Sequence, residues 1–270
     1  MAEINRADLR KKIRKEKLTK WGLIGLGITL VLVIILSVGM YFINKNHNRE
    51  MLLRRYPVQG VMIDQDDGYV DFTALKQKDQ KFVYIRSTQG ASFADDNFDN
   101  NYNRSQGSGL KIGVYHTYGF KSSIKDQENN FVTQVKDNTG TLPIVIQVQY
   151  YYPYSEKNVN FKQQKQRINE LVQFLYRRYS RPVIINTNEG MYQEFKSIPH
   201  TAFWLNSEDD SKDAHVRFVN MDSSDHLTID GQRGSFDSVA FNGNQKQWNQ
   251  YLGQVNIMNN EEMQWENFND

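Results

Sequence analysis

The chain contains no cysteine, and only five prolines and five histidines in 270 residues. The missing cysteine excludes a disulfide scaffold, a zinc–cysteine site and thiol catalysis. So few prolines, with 17 glycines, exclude a collagen-like or low-complexity chain. Net charge is also nearly absent, at +2, but that balance hides an asymmetry. Residues 1–57 carry 12 Lys/Arg against 4 Asp/Glu, and residues 58–270 carry 21 against 27. A basic head on a mildly acidic body argues against nucleic-acid binding, for which the folded domain itself should be basic.

What is present begins with one long apolar run. Trp21 to Ile43 is 23 residues without a charge, enough at about 1.5 Å per residue to cross a hydrocarbon core of about 30 Å. Trp21 at one end and Tyr41 and Phe42 at the other suit interface anchors. The basic segment 1–20 before it predicts a cytoplasmic N-terminus and an extracellular C-terminal domain by the positive-inside rule. The run exceeds a signal-peptide core, and Ser37-Val38-Gly39 is a poor cleavage site, so an uncleaved single-pass anchor is expected over 21–43. Residues 44–57 read as a short polar tether.

After Pro57 short apolar runs alternate with helical stretches. GVMID, KFVYIRS, KIGVYHTYG, LPIVIQVQ, RPVIINT and TAFWLN read as buried strands. Helices are predicted over 100–109, 124–136 and 161–179, the last with Ile168, Leu171, Val172, Leu175 and Tyr176 on one face. This alternation implies parallel strands with crossover helices, hence an irregular (β/α) barrel like a TIM barrel, with functional groups at the C-terminal strand ends. The domain is expected over 58–252 and an acidic tail over 253–270. That tail, with Trp265 and Phe268, reads as a frayed end or a partner-docking segment.

The motifs of this domain resemble glycoside hydrolase family 25, the muramidases (lysozymes) that cut bacterial peptidoglycan. The family's opening strand, Gly-hydrophobic-Asp-hydrophobic-Ser, matches Gly60 to Asp64, with Met62 at the Asp. Its Phe-Val-x-Ile-Arg-Ala-Thr-Glu-Gly matches Phe82 to Gly90, with Gln89 at the Glu. Asp95, Phe98 and Asn101 fit Asp-x-x-Phe-x-x-Asn, and Gly109, Leu110, Gly113, Tyr115 and His116 fit Gly-Leu-x-x-Gly-x-Tyr-His. The family's Leu-Pro-x-x-x-Asp-x-Glu becomes Leu142 to Gln149, with Gln147 and Gln149 in place of both acids. Its Val-Asp-x-Asn-x-Phe is aligned from Val239, which puts Ala240 at the Asp. Trp204 matches a late-strand Trp.

The resemblance implies a barrel mouth that takes glycan. Gln89, Tyr115, His116, Gln147, Gln149, Tyr151 and Trp204 are the candidate substrate-binding residues. Four acid positions read Met62, Gln147, Gln149 and Ala240, so general acid–base assistance, worth roughly 10²–10⁴ in rate, is expected to be lost. The fallback acids are Asp64 and Asp67, for which ordinary turn chemistry is the competing reading. Tyr150, Tyr151, Tyr152 and Tyr154 form either a sugar-stacking platform or loop packing. A lone His116 predicts no metal site, and no cofactor is expected. The leading function is a non-catalytic bacterial cell-membrane protein that binds peptidoglycan glycan strands or scaffolds a cell-wall or division protein. The alternative is an active muramidase with rearranged aspartates.

Overall fold

A computed structural model describes residues 6–207, 211–221, 229 and 236–257. The chain divides into two compact units, Met1–Arg54 and Arg55–Asp270.

The first unit is helix α1, Arg6–Arg55. Its segment Arg14–Asn44 is exposed throughout and is long and apolar enough to cross a membrane. The helix continues to Arg55, through most of the stretch 44–57 expected as a short polar tether.

The second unit opens with strand β1 (Gln59–Ile63) and a 3-10 turn (Gln65–Asp67), followed by α2 (Phe72–Gln77). Next come β2 (Phe82–Gln89), β3 (Phe93–Ala94), α3 (Phe98–Ser105), β4 (Lys111–Thr117), α4 (Ile124–Val135) and β5 (Ile144–Gln147). The rest is α5 (Phe161–Tyr179), β6 (Val183–Thr187), α6 (Glu189–Phe195), β7 (Thr201–Leu205), β8 (Val216–Asn220), β9 (Asp237–Phe241) and α7 (Gln245–Ile257). All six expected strands and the three expected helices are present, with α5 spanning the expected residues. The remainder of the expected acidic tail beyond Ile257, including Trp265 and Phe268, lies outside the described residues.

The strands close an eight-stranded barrel, in the order β1-β9-β8-β7-β6-β5-β4-β2, with a β1–β2 pairing completing the ring and β3 attached outside β2. Seven strands run parallel, and β9 runs antiparallel to both of its neighbours. Side chains alternate between the barrel interior and the outer layer, as the pleat requires. One break in this alternation matters. The β2–β4 register shifts between Arg86 and Thr88, a bulge at Ser87 whose hydroxyl donates to the Tyr115 carbonyl at 2.9 Å. A bulge re-aims everything after it; here Thr88 turns to the outer layer and Gln89 turns inward.

Aromatic rings fill the interior: Phe82, Tyr84, Trp204, Phe218 and Phe241 belong to one buried cluster. Glycines on the neighbouring strands make room for them. A Cβ on Gly113 would lie 2.2 Å from the Tyr84 ring, and one on Gly60 would lie 2.4 Å from Phe82. Helix α7 closes the end opposite the mouth, with Trp248 at 5.4 Å from the Phe82 ring and Tyr251 at 5.3 Å from Phe241. The barrel is a packed core with one open end.

Candidate functional site

A cavity of about 480 Å³ opens at the C-terminal strand ends and is lined from β1, β2, β4, β5 and the start of β9. It brings together most of the residues singled out from the sequence: Met62, Asp64, Asp67, Gln89, Tyr115, Gln147, Gln149 and Tyr151. Gln147 ends β5 and Gln149 follows it by two residues, so both reach the same side. The Gln147 side-chain oxygen Oε1 accepts from the Thr117 hydroxyl at 2.9 Å, and its Nε2 faces the Met62 sulfur at 3.9 Å. These groups can hold hydroxyls and amides of a ligand but have no titrating proton to give.

Three expectations are corrected by strand geometry. His116 neighbours Tyr115 on β4; Tyr115 points inward, so His116 must point outward. It is buried, with Nδ1 2.8 Å from the Thr88 hydroxyl and Nε2 3.1 Å from the Gln127 carbonyl oxygen. Burial lowers its pKa to about 4, so it is neutral and ties β2 and β4 to α4. Trp204 does face inward but at the level of Tyr84, fully buried below the cavity, with its indole N–H donated to the Asn220 side chain at 2.7 Å. Ala240 is fully buried and pairs with Gln59 at the far end of β1. The β9 residue at the mouth is Asp237, opposite Met62. Sliding the Val-Asp-x-Asn-x-Phe frame three residues toward the N-terminus puts its Asp on Asp237 and its Phe on Phe241, a signal the sequence already held. Tyr150, weighed from the sequence as a sugar-stacking ring, and Asp66, from the same turn as the fallback acids, also line the cavity, as do Arg86 and Thr117, which were not anticipated as site residues.

The carboxylates on the β1 side are tied into the scaffold. Asp64 caps the 3-10 turn: its side chain accepts the Asp66 N–H at 2.8 Å, while the Asp67 carboxylate accepts the Asp64 N–H at 2.7 Å, a reciprocal capping box. Arg86 reaches from β2 to Asp64 through Nη1 and to Asp95 through Nε, each at 2.9 Å. Asp95 is almost wholly buried and also accepts the N–H groups of Gln65 and Asn97. The guanidinium therefore joins two loops beneath the mouth.

Asp67 is perturbed. Burial, followed by the nearby charges of Asp64, Asp237 and Asp66, raises its pKa to about 6 against the Asp64 N–H bond that lowers it. The folded state thus holds this proton more tightly than the unfolded chain does. The resulting stabilisation is complete below about pH 4, falls away as pH rises toward 6 and is absent above it. Asp67→Asn keeps an acceptor for the Asp64 N–H but carries no charge. It is expected to be more stable than the parent at pH 7.5 by about 1 kcal/mol, well under the full shift because the carboxyl is only partly buried. The gap should close at pH 4. Urea midpoints at the two pH values test this, and a variant no more stable than the parent at pH 7.5 would refute the crowding.

Comparisons with known proteins agree with the geometry. The model of the family "Glycosyl hydrolases family 25" matches residues 63–223. An uncharacterized Escherichia coli protein, YegX, is 25% identical over 201 residues, covering 70% of this chain and 71% of its own. The autolytic lysozyme of Clostridium acetobutylicum is 33% identical over 76 residues, 28% of this chain and 24% of its own. Among solved structures, a family 25 glycosyl hydrolase from Bacillus anthracis superposes with a TM-score of 0.64 at 22% identity, over 73% of this chain and 94% of its own. The lysozyme of Streptomyces coelicolor gives 0.62 at 21%, over 74% and 98%. With the barrel, the mouth and a family match over more than half its length, the chain belongs to glycosyl hydrolase family 25.

Proposed function

We propose that this protein is anchored in a bacterial cell membrane by α1 and holds peptidoglycan glycan in its barrel mouth without cleaving it. The observation that carries the reading is the pair Gln147 and Gln149 lining the cavity. Both stand where the family places acids, and Met62 faces Gln147 across the mouth. Glycoside hydrolysis needs a group that protonates the leaving oxygen, and an amide cannot. The family supplies the ligand class, and the amide, hydroxyl and phenol lining suits a sugar chain. The basic residues before Trp21 set the orientation, with the barrel outside the cell.

The test uses the full chain in detergent micelles with purified peptidoglycan. The protein is expected to co-sediment with the insoluble polymer and to release no new reducing ends. Failure to co-sediment would remove the glycan reading, and release of reducing ends would remove the non-catalytic one. One observation favours a second reading, in which hydrolysis persists through a rearranged acid. Asp67 lines the cavity and, with its pKa raised to about 6, keeps a proton to donate in mildly acidic conditions. Under that reading reducing ends are released by the parent and not by Asp67→Asn.

A further inference from the structure

Charge divides the barrel unit end from end. The mouth carries Asp64, Asp66, Asp67 and Asp237 around the cavity. The closed end is basic. Helices α2, α4, α5 and α6 finish there, and exposed cations stand at those finishes: Lys78, Lys136, Arg177, Arg178 and Lys196. The dipole of each helix favours a cation at that terminus, but it does not account for the whole set. Lys246 sits in the first turn of α7, where the dipole disfavours it. Lys212 lies on no helix; Ser211 beside it accepts from the Asn242 side chain, just past the end of β9, at 2.9 Å. Both lysines are exposed. The acids on this end are fewer. Asp79 and Asp137 pair with Lys81 at 2.5 Å and Arg178 at 4.0 Å, Asp213 holds the Tyr192 hydroxyl, and Glu194 stands in the last turn of α6.

We propose that this closed end is a docking surface for anionic phospholipid headgroups, which seats the barrel on a membrane with its mouth turned away. This rests on the membrane reading above. The chain enters the barrel unit on the same end, since Arg55 opens the unit and β1 starts at Gln59. A short connection to a membrane-held segment keeps the basic end at high local concentration near the headgroups, so individually weak contacts suffice. Lysines and arginines spread over several helix ends each gain from an anionic surface within a Debye length, about 8–10 Å. The same surface repels the acidic mouth, so attraction at one end and repulsion at the other favour a single orientation. The contact is ionic rather than apolar. Among the described residues of this unit, the exposed large hydrophobic side chains are Tyr69, Phe93, Tyr151 and Tyr152, all in segments that follow the mouth end of a strand. A protein partner would favour a contiguous apolar patch, and the closed end offers none of these.

The chain has no cysteine, so one introduced thiol reports one place. In the full chain, Ser197→Cys carries a donor dye on the closed end and Tyr152→Cys carries one at the mouth. Each is reconstituted into vesicles of phosphatidylcholine, alone or with about one third phosphatidylglycerol, that bear an acceptor dye on some headgroups. Energy transfer from the closed-end label is expected to rise at least about twofold in the anionic vesicles, and transfer from the mouth label to fall. Salt at about 0.5 M, which shortens the Debye length to about 4 Å, should erase both changes. So should Lys78→Glu, Lys136→Glu, Lys212→Glu and Lys246→Glu combined, all at exposed positions, in a variant that keeps the parent's circular dichroism. Equal transfer in the two kinds of vesicle, the result if the basic end serves an anionic wall polymer instead, would overturn the docking surface. A difference that survives both salt and charge reversal would overturn it too. Flotation separates this from the anchor. A chain that floats with neutral vesicles but shows equal transfer keeps the anchor and loses the docking surface. One that floats only with anionic vesicles loses the anchor and keeps the docking surface, and one that floats with neither loses both.

Discussion

Met62→Asp, Gln147→Asp and Gln149→Glu, made together in the full chain, are expected to release reducing ends from purified peptidoglycan at least about 10²-fold faster than the parent. General acid–base assistance is worth roughly 10²–10⁴, and these substitutions return the missing carboxyls to the places the family gives them. Three changes suffice because Asp237, paired across from Met62, already supplies a carboxylate on β9. Gln149→Glu alone should gain less, since acid and charged partner act as a unit and their effects are not additive. The new carboxyls join a cavity that already holds Asp64, Asp66, Asp67 and Asp237, and like charges raise one another's pKa. Activity should therefore peak on the acidic side of neutrality. A triple variant that keeps the parent's circular dichroism and still releases nothing would show that the cavity differs from a hydrolase in more than its acids.

Arg86→Met is expected to cost about 3–5 kcal/mol of folding stability, the penalty for leaving a buried carboxylate without its cation. The Asp95 side chain is 1% exposed and has the guanidinium on Oδ2 at 2.9 Å. Asp64, at 26% exposed, can turn to water and contributes less. Losing the guanidinium raises the pKa of Asp95, so the variant binds this proton more readily when folded than when unfolded. Its deficit is thus largest near neutral pH and shrinks as pH falls and Asp95 protonates. Arg86→Met combined with Asp95→Asn should recover part of the loss. Urea unfolding at pH 7.5 and pH 4.5 measures all of this. A deficit under about 1 kcal/mol at pH 7.5 would mean that the backbone N–H groups of Gln65 and Asn97 hold Asp95 without help.

Much of this was legible in the sequence because a parallel barrel writes its strands as uninterrupted apolar runs. Runs such as TAFWLN and RPVIINT announce themselves. Strands β8 and β9 did not, because Arg217 interrupts VRFVN and DSVAF opens on two polar residues, which leaves at most three apolar residues in a row. The site was legible as far as motif spacing reached. Gln147, Gln149 and Met62 meet at the mouth because each motif fixes its own strand end. Where two neighbours were both chosen, as with Tyr115 and His116, the pleat allowed only one to face the mouth. Trp204 shows a different limit, since spacing gives the face of a strand but not the height along the barrel. Arg86 was quoted only as part of a motif; its work, joining Asp64 and Asp95 from loops about 30 residues apart, needs three dimensions. The bulge at Ser87 is silent in the sequence, yet it is what turns Gln89 toward the cavity.

The reversed strand β9 has a consequence for how the domain can be joined to other things. Had the eighth strand run parallel to the rest, the chain would leave it at the mouth and need a returning helix to reach the other end. One antiparallel strand restores parity. The carbonyl of Val58, just before β1, accepts the N–H of Phe241, the last residue of β9, at 2.9 Å. Entry and exit are therefore neighbours, and both lie on the face opposite the groove. The barrel is thus entered at β1 and left at β9 on one and the same side, and its open end stays clear of both crossings.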